Sequence, residues 1–334
     1  MMKKFLLSVF TLVLFTGAMA QEESLQETAR NYMRAGDWNN AILVLNRAIA
    51  EDPENLEYQK DLVMAYYYKK DYANALTQVE PMLGKDNADE AVFQIGGNVY
   101  KALEMVKEAE KMYKKGIKKF PASGPLYSEY GELLWAKQDY NAIKEWEKGI
   151  EKAPSFAGNY YNAALFYYYT QDKVWTLIYG EIFVNMEYLT ERATAMKKLL
   201  LSAYKEKLYA VTTDSKEDKK KSDFYKAVLE TYNNQGTVVN RGMNIEALNM
   251  LRTKFILEWF TNYGKKFPFK LFEYHQQLIK EGMFEAYNQW LFGSVENLPA
   301  YDQWTKTHAD AYNKFTTFQK GRIFKMPVGQ YYAN

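Results

Sequence analysis

Residues 36–49 read GDWNNAILVLNRAI, residues 70–83 KDYANALTQVEPML, residues 104–117 EMVKEAEKMYKKGI and residues 138–150 QDYNAIKEWEKGI. Aligned on one another, they place Ala41, Ala75 and Ala109 at steps of 34 residues, then Ala142 after 33 and Thr176 after a further 34. Four residues beyond each stand Leu45, Val79, Tyr113, Trp146 and Gly180, and three further on Ala48, Met82, Gly116, Gly149 and Phe183. Such offsets put the side chains of each set on one helical face. Small residues there let a neighbouring helix approach closely, and the larger one between them fills the remaining volume. A fixed period of this length marks a stack of similar units, each burying its apolar face against the next.

A second helix precedes each of these. It carries Tyr32, Tyr66, Tyr100, Leu134 and Tyr167, three residues after Ala29, Val63, Gly97, Gly131 and Ala164. The turns between the helices include Ala35-Gly36-Asp37, Lys69-Lys70-Asp71, Lys137-Gln138-Asp139 and Thr170-Gln171-Asp172, whose aspartates suit the cap of the following helix. Pro53, Pro121 and Pro154 stop the second helices of their units, with Asn87 at the corresponding place in the second unit. The one-residue shortening of the fourth unit is assigned to its turn, where a deletion disturbs least.

Together these residues resemble the tetratricopeptide repeat (TPR) family over residues 22–183. The units are 22–55, 56–89, 90–123, 124–156 and a degenerate fifth, 157–186, in which Thr176 and Gly180 stand where alanine and an aromatic are usual and no proline closes the unit after Phe183. The resemblance implies an all-α fold, a right-handed superhelical solenoid of helical hairpins whose first helices line a concave groove, with no chemistry of its own. Additional C-terminal helices follow. Residues 187–211 read as an extension helix, residues 212–223 as a charged loop, and residues 224–334 as a helical region without a period, dense in Trp, Tyr and Phe. That region is expected to cap the end of the stack or to form a domain of its own.

On the groove side a helix-period set gathers Arg30 in the first unit, Lys60, Met64, Tyr67 and Tyr68 in the second, Asn98 and Lys101 in the third, Trp135 in the fourth, and Tyr161, Tyr168 and Tyr169 in the fifth. Gln26, Gln94, Ser128 and Glu132 share that face. The TPR arrangement that grips a C-terminal carboxylate is matched only loosely by Asn98 and Lys101, and Glu132 beside them repels such a ligand. What remains is an aromatic groove, basic at its N-terminal end. Rigid amphipathic rings offer contact area at low entropy cost, so a protein or peptide partner is expected, with carbohydrate as the other ligand that stacked rings hold.

The 43 Lys and Arg are matched by 41 Asp and Glu, which makes a poor footprint for nucleic acid. Residues 1–20, MMKKFLLSVFTLVLFTGAMA, have the lysines, short apolar run and small-x-small end of a signal peptide, giving an exported protein cleaved near Ala20, periplasmic or secreted. No further stretch reads as a transmembrane anchor, and the absence of cysteine leaves no disulfide framework and no lipidated thiol. The two histidines, His275 and His308, form no metal motif, and each reads as a satisfied, partly exposed residue. No phosphate-binding glycine loop or nucleophile elbow occurs, so no cofactor and no catalysis are expected. Two other readings remain open. One is a structural or self-assembling envelope module of unknown oligomeric state; the other is a carbohydrate-processing or other hydrolase with its site in the C-terminal helices, where two carboxylates are brought together from distant positions.

Overall fold

Each of the first four hairpins turns in the same way. Gly36, Lys70, Glu104 and Gln138 all have positive φ, between 59° and 73°, and stand 34 residues apart. In each turn the next residue's N–H returns to a carbonyl five residues earlier, as Asp37 to Tyr32, Asp71 to Tyr66, Met105 to Tyr100 and Asp139 to Leu134, at 2.9 Å. This is the left-handed closure that satisfies the last carbonyls of a helix.

The computed structural model describes residues 24–170, 172–209, 221–239 and 242–332. The leader expected over residues 1–20 and most of the charged loop lie outside them. The described residues are all-α. The hairpins are α1 (Leu25–Arg34) with α2 (Trp38–Glu51), α3 (Leu56–Tyr68) with α4 (Tyr72–Met82), α5 (Glu90–Ala102) with α6 (Val106–Lys119), α7 (Gly124–Ala136) with α8 (Ala142–Lys152), and α9 (Ala157–Tyr169) with α10 (Lys173–Met186). Pro53, Pro121 and Pro154 each stand two residues past a helix end, whereas Pro81 is carried inside α4. Asp37, Asp71 and Asp172 cap as expected, accepting from backbone N–H groups of the following first turn. In the fourth unit Asp139 accepts from Asn141 N–H at 2.9 Å and the helix begins only at Ala142, so the missing residue falls after Gln138.

The chain divides within α4, after Val79, into two compact units. In the first, Ala29, Ala41, Leu45, Leu62 and Ala65 form the core, flanked by Tyr32, Met33, Ile42 and Tyr66. In the second, the small-large-small register is read out directly. A Cβ on Gly97 would overlap the ring of Tyr113, and one on Gly131 the indole of Trp146, whose Nε1 donates to Ser128 O at 3.1 Å. Gly116 receives Phe93 and Leu126, and Gly149 receives Tyr127 and Asn159. The tyrosines of the first helices also reach back to the preceding hairpin, Tyr100 to Glu80 at 3.0 Å and Tyr167 to Glu147 at 2.6 Å. Part of the aromatic surplus is therefore interhelical mortar.

The fifth hairpin departs from this pattern because helices outside the repeat array surround it. At Gly180, where an aromatic is usual, Met196 and Leu200 of α11 (Glu191–Ser202) fill the space. The extension helix expected over residues 187–211 begins at Glu191 and loosens into a π-helical turn at Ala203–Lys207. Every residue of α10 from Val174 to Asn185 is buried. A helix with no solvent face needs neighbours all round. Besides α9 and α11 they come from α12 (Asp223–Asn233), α13 (Ile245–Asn262), α14 (Lys270–Lys280) and α15 (Phe284–Asn288), the last continuing through a π-helical turn at Gln289–Gly293; α16 (Leu298–Thr307) and α17 (Ala309–Lys320) follow. Trp175 stacks on Tyr179 at 4.9 Å and on Phe224 at 5.7 Å.

Inside this contact lies one polar cluster. The Glu181 carboxylate is bound by the Arg252 guanidinium, by His275 Nε2 at 2.9 Å and by Tyr287 OH at 2.6 Å. Arg252 also donates to Asn288 Oδ1, and Asn185 Nδ2 donates to Tyr287 OH at 2.8 Å. Burial alone would push the Glu181 carboxyl up, but Arg252, His275 and Tyr287 together outweigh it and hold it at about 2. Burial pushes His275 down, against the pull of Glu181, so the imidazole is neutral near pH 7 and donates its Nε2 proton. The expectation of a partly exposed His275 is thus corrected: the ring is 4% exposed, because its helix face is the one turned to α10.

Gln138→Gly or Lys70→Gly should each raise stability by about 1 kcal/mol in urea unfolding, since an L-residue in a left-handed turn carries a steric penalty of that order. Gly131→Ala should lower it by about 1–3 kcal/mol by overpacking against Trp146. Because folding lowers both His275 and Glu181, their contributions are lost as pH falls. The thermal midpoint should therefore drop below about pH 6.5, where unfolded histidine takes up a proton, and again from about pH 4.5 towards 2 for Glu181. In His275→Gln, which keeps a neutral donor, the first drop should disappear and the second remain.

Candidate functional site

The candidate residues lie on the first helix of each hairpin, and the structure pairs most of the polar ones among themselves. In the N-terminal unit, Gln26 Nε2 and Arg30 Nε both donate to Asp61 Oδ2, at 3.1 and 2.9 Å, and Arg30 lies 3.7 Å from Glu57. Lys60 is buried and bound to Glu57 at 2.6 Å. Met64 and Tyr67 are half-buried, whereas Tyr68 is 52% exposed and stacks on Trp38 with ring centroids 5.4 Å apart.

In the C-terminal unit the same device returns. Gln94, Asn98 and Lys101 converge on Glu129, at 3.4, 3.3 and 2.6 Å. Gln94, Asn98 and Glu129 occupy the repeat positions of Gln26, Arg30 and Asp61, two units on. Asn162 bridges Ser128 and Glu132 one helix further along, at 3.1 and 3.0 Å. The acids Asp61 and Glu129, which hold these candidates, were not singled out by the repeat register alone. Their separation of two repeat lengths, matching that of Gln26 and Gln94, was the available signal.

The aromatic candidates divide into held and free. Trp135 is half-buried among Tyr140, Trp146 and Phe166. Tyr161 packs on Phe183 at 4.9 Å with the Arg192 guanidinium 5.1 Å from its ring. Tyr168 bonds Ser202 through its hydroxyl at 2.9 Å and lies under Lys207 Nζ at 3.7 Å, so α11 and its π turn use this part of the face. Tyr169 alone of the three stands out, 66% exposed.

Electrostatically, this face offers few unmatched cations: Arg30, Lys60 and Lys101 each have a carboxylate at 3 Å or less. The candidates that stand out from it are the rings of Tyr68 and Tyr169. For chemistry, the one histidine–carboxylate pair among the described residues, Glu181 with His275, is sealed in the core, and His308 instead stacks on Trp304 at 4.6 Å. Among the described residues no group of three His, Cys, Asp or Glu stands where it would hold a metal ion, and no helix is long and apolar enough to cross a membrane.

No family model and no curated protein matches the chain in sequence. Solved structures do resemble it. A thermophilic TPR protein of Thermus thermophilus is 13% identical, covering 53% of this chain and 97% of its own, with a TM-score of 0.46. A TPR protein of Parabacteroides merdae is 14% identical over 71% of this chain and 86% of its own, at 0.42. YrrB, a TPR protein with an unusual peptide-binding site, is 18% identical over 52% of this chain and 90% of its own, at 0.37. The fold assignment rests on the hairpins themselves, on their period, their recurrent left-handed turns and their glycine-to-ring packing: the protein is all-α, of the tetratricopeptide-repeat type.

Proposed function

We propose that this protein is an exported interaction scaffold, without catalysis of its own, that holds a protein or peptide partner on the first-helix face of its hairpins. The observation that carries the reading is the recurrence of an exposed tyrosine at the same repeat position, Tyr68 and Tyr169, while other candidates such as Arg30 and Tyr168 are already bonded within the protein. An exposed ring on a rigid helix end, with its neighbours fixed, is a preorganised anchor: its ordering cost is met before a partner arrives. The paired state of Arg30, Lys60 and Lys101 argues against a carboxylate as the feature recognised on this face.

A hydrolytic reading centred on Glu181 and His275 is not favoured. The carboxylate is already neutralised by Arg252, and a substrate would have to break that pair to reach it.

A photo-crosslinking amino acid placed at position 68, and separately at 169, should yield the same covalent partner from the native envelope. At Leu43, 68% exposed, it should not. Adducts from Leu43 equal to those from the two tyrosine sites, or none from either tyrosine site, would remove the assignment. Export predicts that the product in the periplasmic or secreted fraction begins at Gln21, which N-terminal sequencing reads.

A further inference from the structure

The cations of the hairpin face are paired, but a second group is not. A cleft of about 460 Å³ opens beside the end of α10, between α14 and the non-helical segment at residues 321–325. Lys270, Arg322 and Lys325 line it, and no carboxylate does. Among the described residues the Lys270 and Lys325 ammonium groups have no ion-pair partner. Arg322 has none either, but it is held: its Nη1 donates to Gln277 Oε1 at 3.0 Å and its guanidinium lies 4.2 Å from the Phe318 ring. A guanidinium fixed by a neutral amide and an aromatic face keeps its charge and its remaining donors for a ligand.

Two further features define what fits beside that charge. Asn185, 7% exposed, lines the cleft; its Nδ2 is taken by Glu181 O and Tyr287 OH, each at 2.8 Å, while its Oδ1 has no hydrogen-bond partner among the described residues. It is a positioned acceptor anchored to the buried Glu181 cluster. Residues 323–325, which also line the cleft, carry no regular structure, and their backbone N–H and C=O groups make no hydrogen bond to other described residues. Tyr274 and Phe324, 5.5 Å apart edge to face, supply an apolar wall.

We infer that this cleft binds a short extended peptide segment through a carboxylate, with the carboxylate on Arg322 and the lysines, an amide N–H on Asn185 Oδ1, and the peptide backbone along residues 323–325. Unpaired backbone is what favours a peptide over other small acids, because it offers donors and acceptors at main-chain spacing. The volume is that of a small-ligand site. The carboxylate comes from a peptide's free C-terminus or from an Asp or Glu side chain. The site is independent of the tyrosine face proposed above.

The test is calorimetric titration of the protein from Gln21 onward with four probes: acetyl-Ala-Val-Ala-Leu as the free acid, the same peptide as its C-terminal amide, acetyl-Ala-Glu-Ala-Leu amide, and glucuronate. Binding of the free acid but not of the neutral amide assigns a C-terminus; binding of the Glu peptide amide assigns a side chain. Either should weaken about tenfold or more in Arg322→Gln, as expected for loss of a charged hydrogen bond, and in Lys325→Glu, but not in Lys306→Gln on α16. Arg322 and Lys325 are exposed, so an unchanged thermal midpoint shows that the variants fold. Equal binding of acid and neutral amide, insensitivity to both cleft variants, no binding of any peptide, or binding of glucuronate alone would overturn the inference. None of these results bears on crosslinking at positions 68 and 169.

Discussion

One carboxylate governs the C-terminal unit. Glu181 lies on a helix buried from Val174 to Asn185, and an ionised carboxylate buried without partners costs several kcal/mol. It is tolerated because Arg252 from α13, His275 from α14 and Tyr287 from α15 meet at its oxygens. Three elements from distant parts of the sequence are thereby brought to one helix. A buried ion pair gives little net stability over an apolar filling of the same shape, but loss of one partner strands the other charge at about 3–5 kcal/mol. The cluster therefore fixes arrangement more than it adds strength: only the arrangement that meets Glu181 with a cation and two further donors avoids that penalty.

This explains why the hairpin array does not end in an ordinary repeat. In the third and fourth hairpins, glycine meets a ring or a neighbouring helix, and the stack could continue indefinitely. At α10 the pattern breaks in two places. Gly180 admits Met196 and Leu200 of α11, and Glu181 next to it demands a charge that no repeat supplies. The Trp175–Phe224 stack and the Glu181 cluster then join the last hairpin to the C-terminal helices along the length of α10.

The hairpins were legible because close packing repeats. Ala41, Ala109, Gly116 and Gly149 are small for the same steric reason each time, so the order of residues itself displays their spacing. The left-handed turns at Lys70, Glu104 and Gln138 were not legible by residue type, since only the first has glycine, at Gly36. Tyr161, Tyr168 and Trp135 share a helix period with the other candidates, but a period does not reveal whether another element already packs on a ring, as Phe183 does on Tyr161 and Ser202 of α11 does on Tyr168. Least legible were the charges. Arg252 meets Glu181 across 71 residues and Asn185 meets Tyr287 across 102, distances with no period to register. His275 reads as an ordinary polar residue on α14, and its burial follows only from which face of that helix turns to α10. The partners of Arg30 and Asn98 were hidden differently, as Asp61 and Glu129 sit one position beyond the residues expected to face the groove.

Glu181 thus ties the last hairpin and the C-terminal helices into one cooperative unit. Amide hydrogen exchange on Glu181→Ala, compared with the unsubstituted protein at neutral pH, tests that coupling most directly. Protection should fall together in residues 157–186 and 245–293, on both sides of the cluster, and by similar factors. Loss confined to one of those two stretches, or unchanged protection in both, would contradict it.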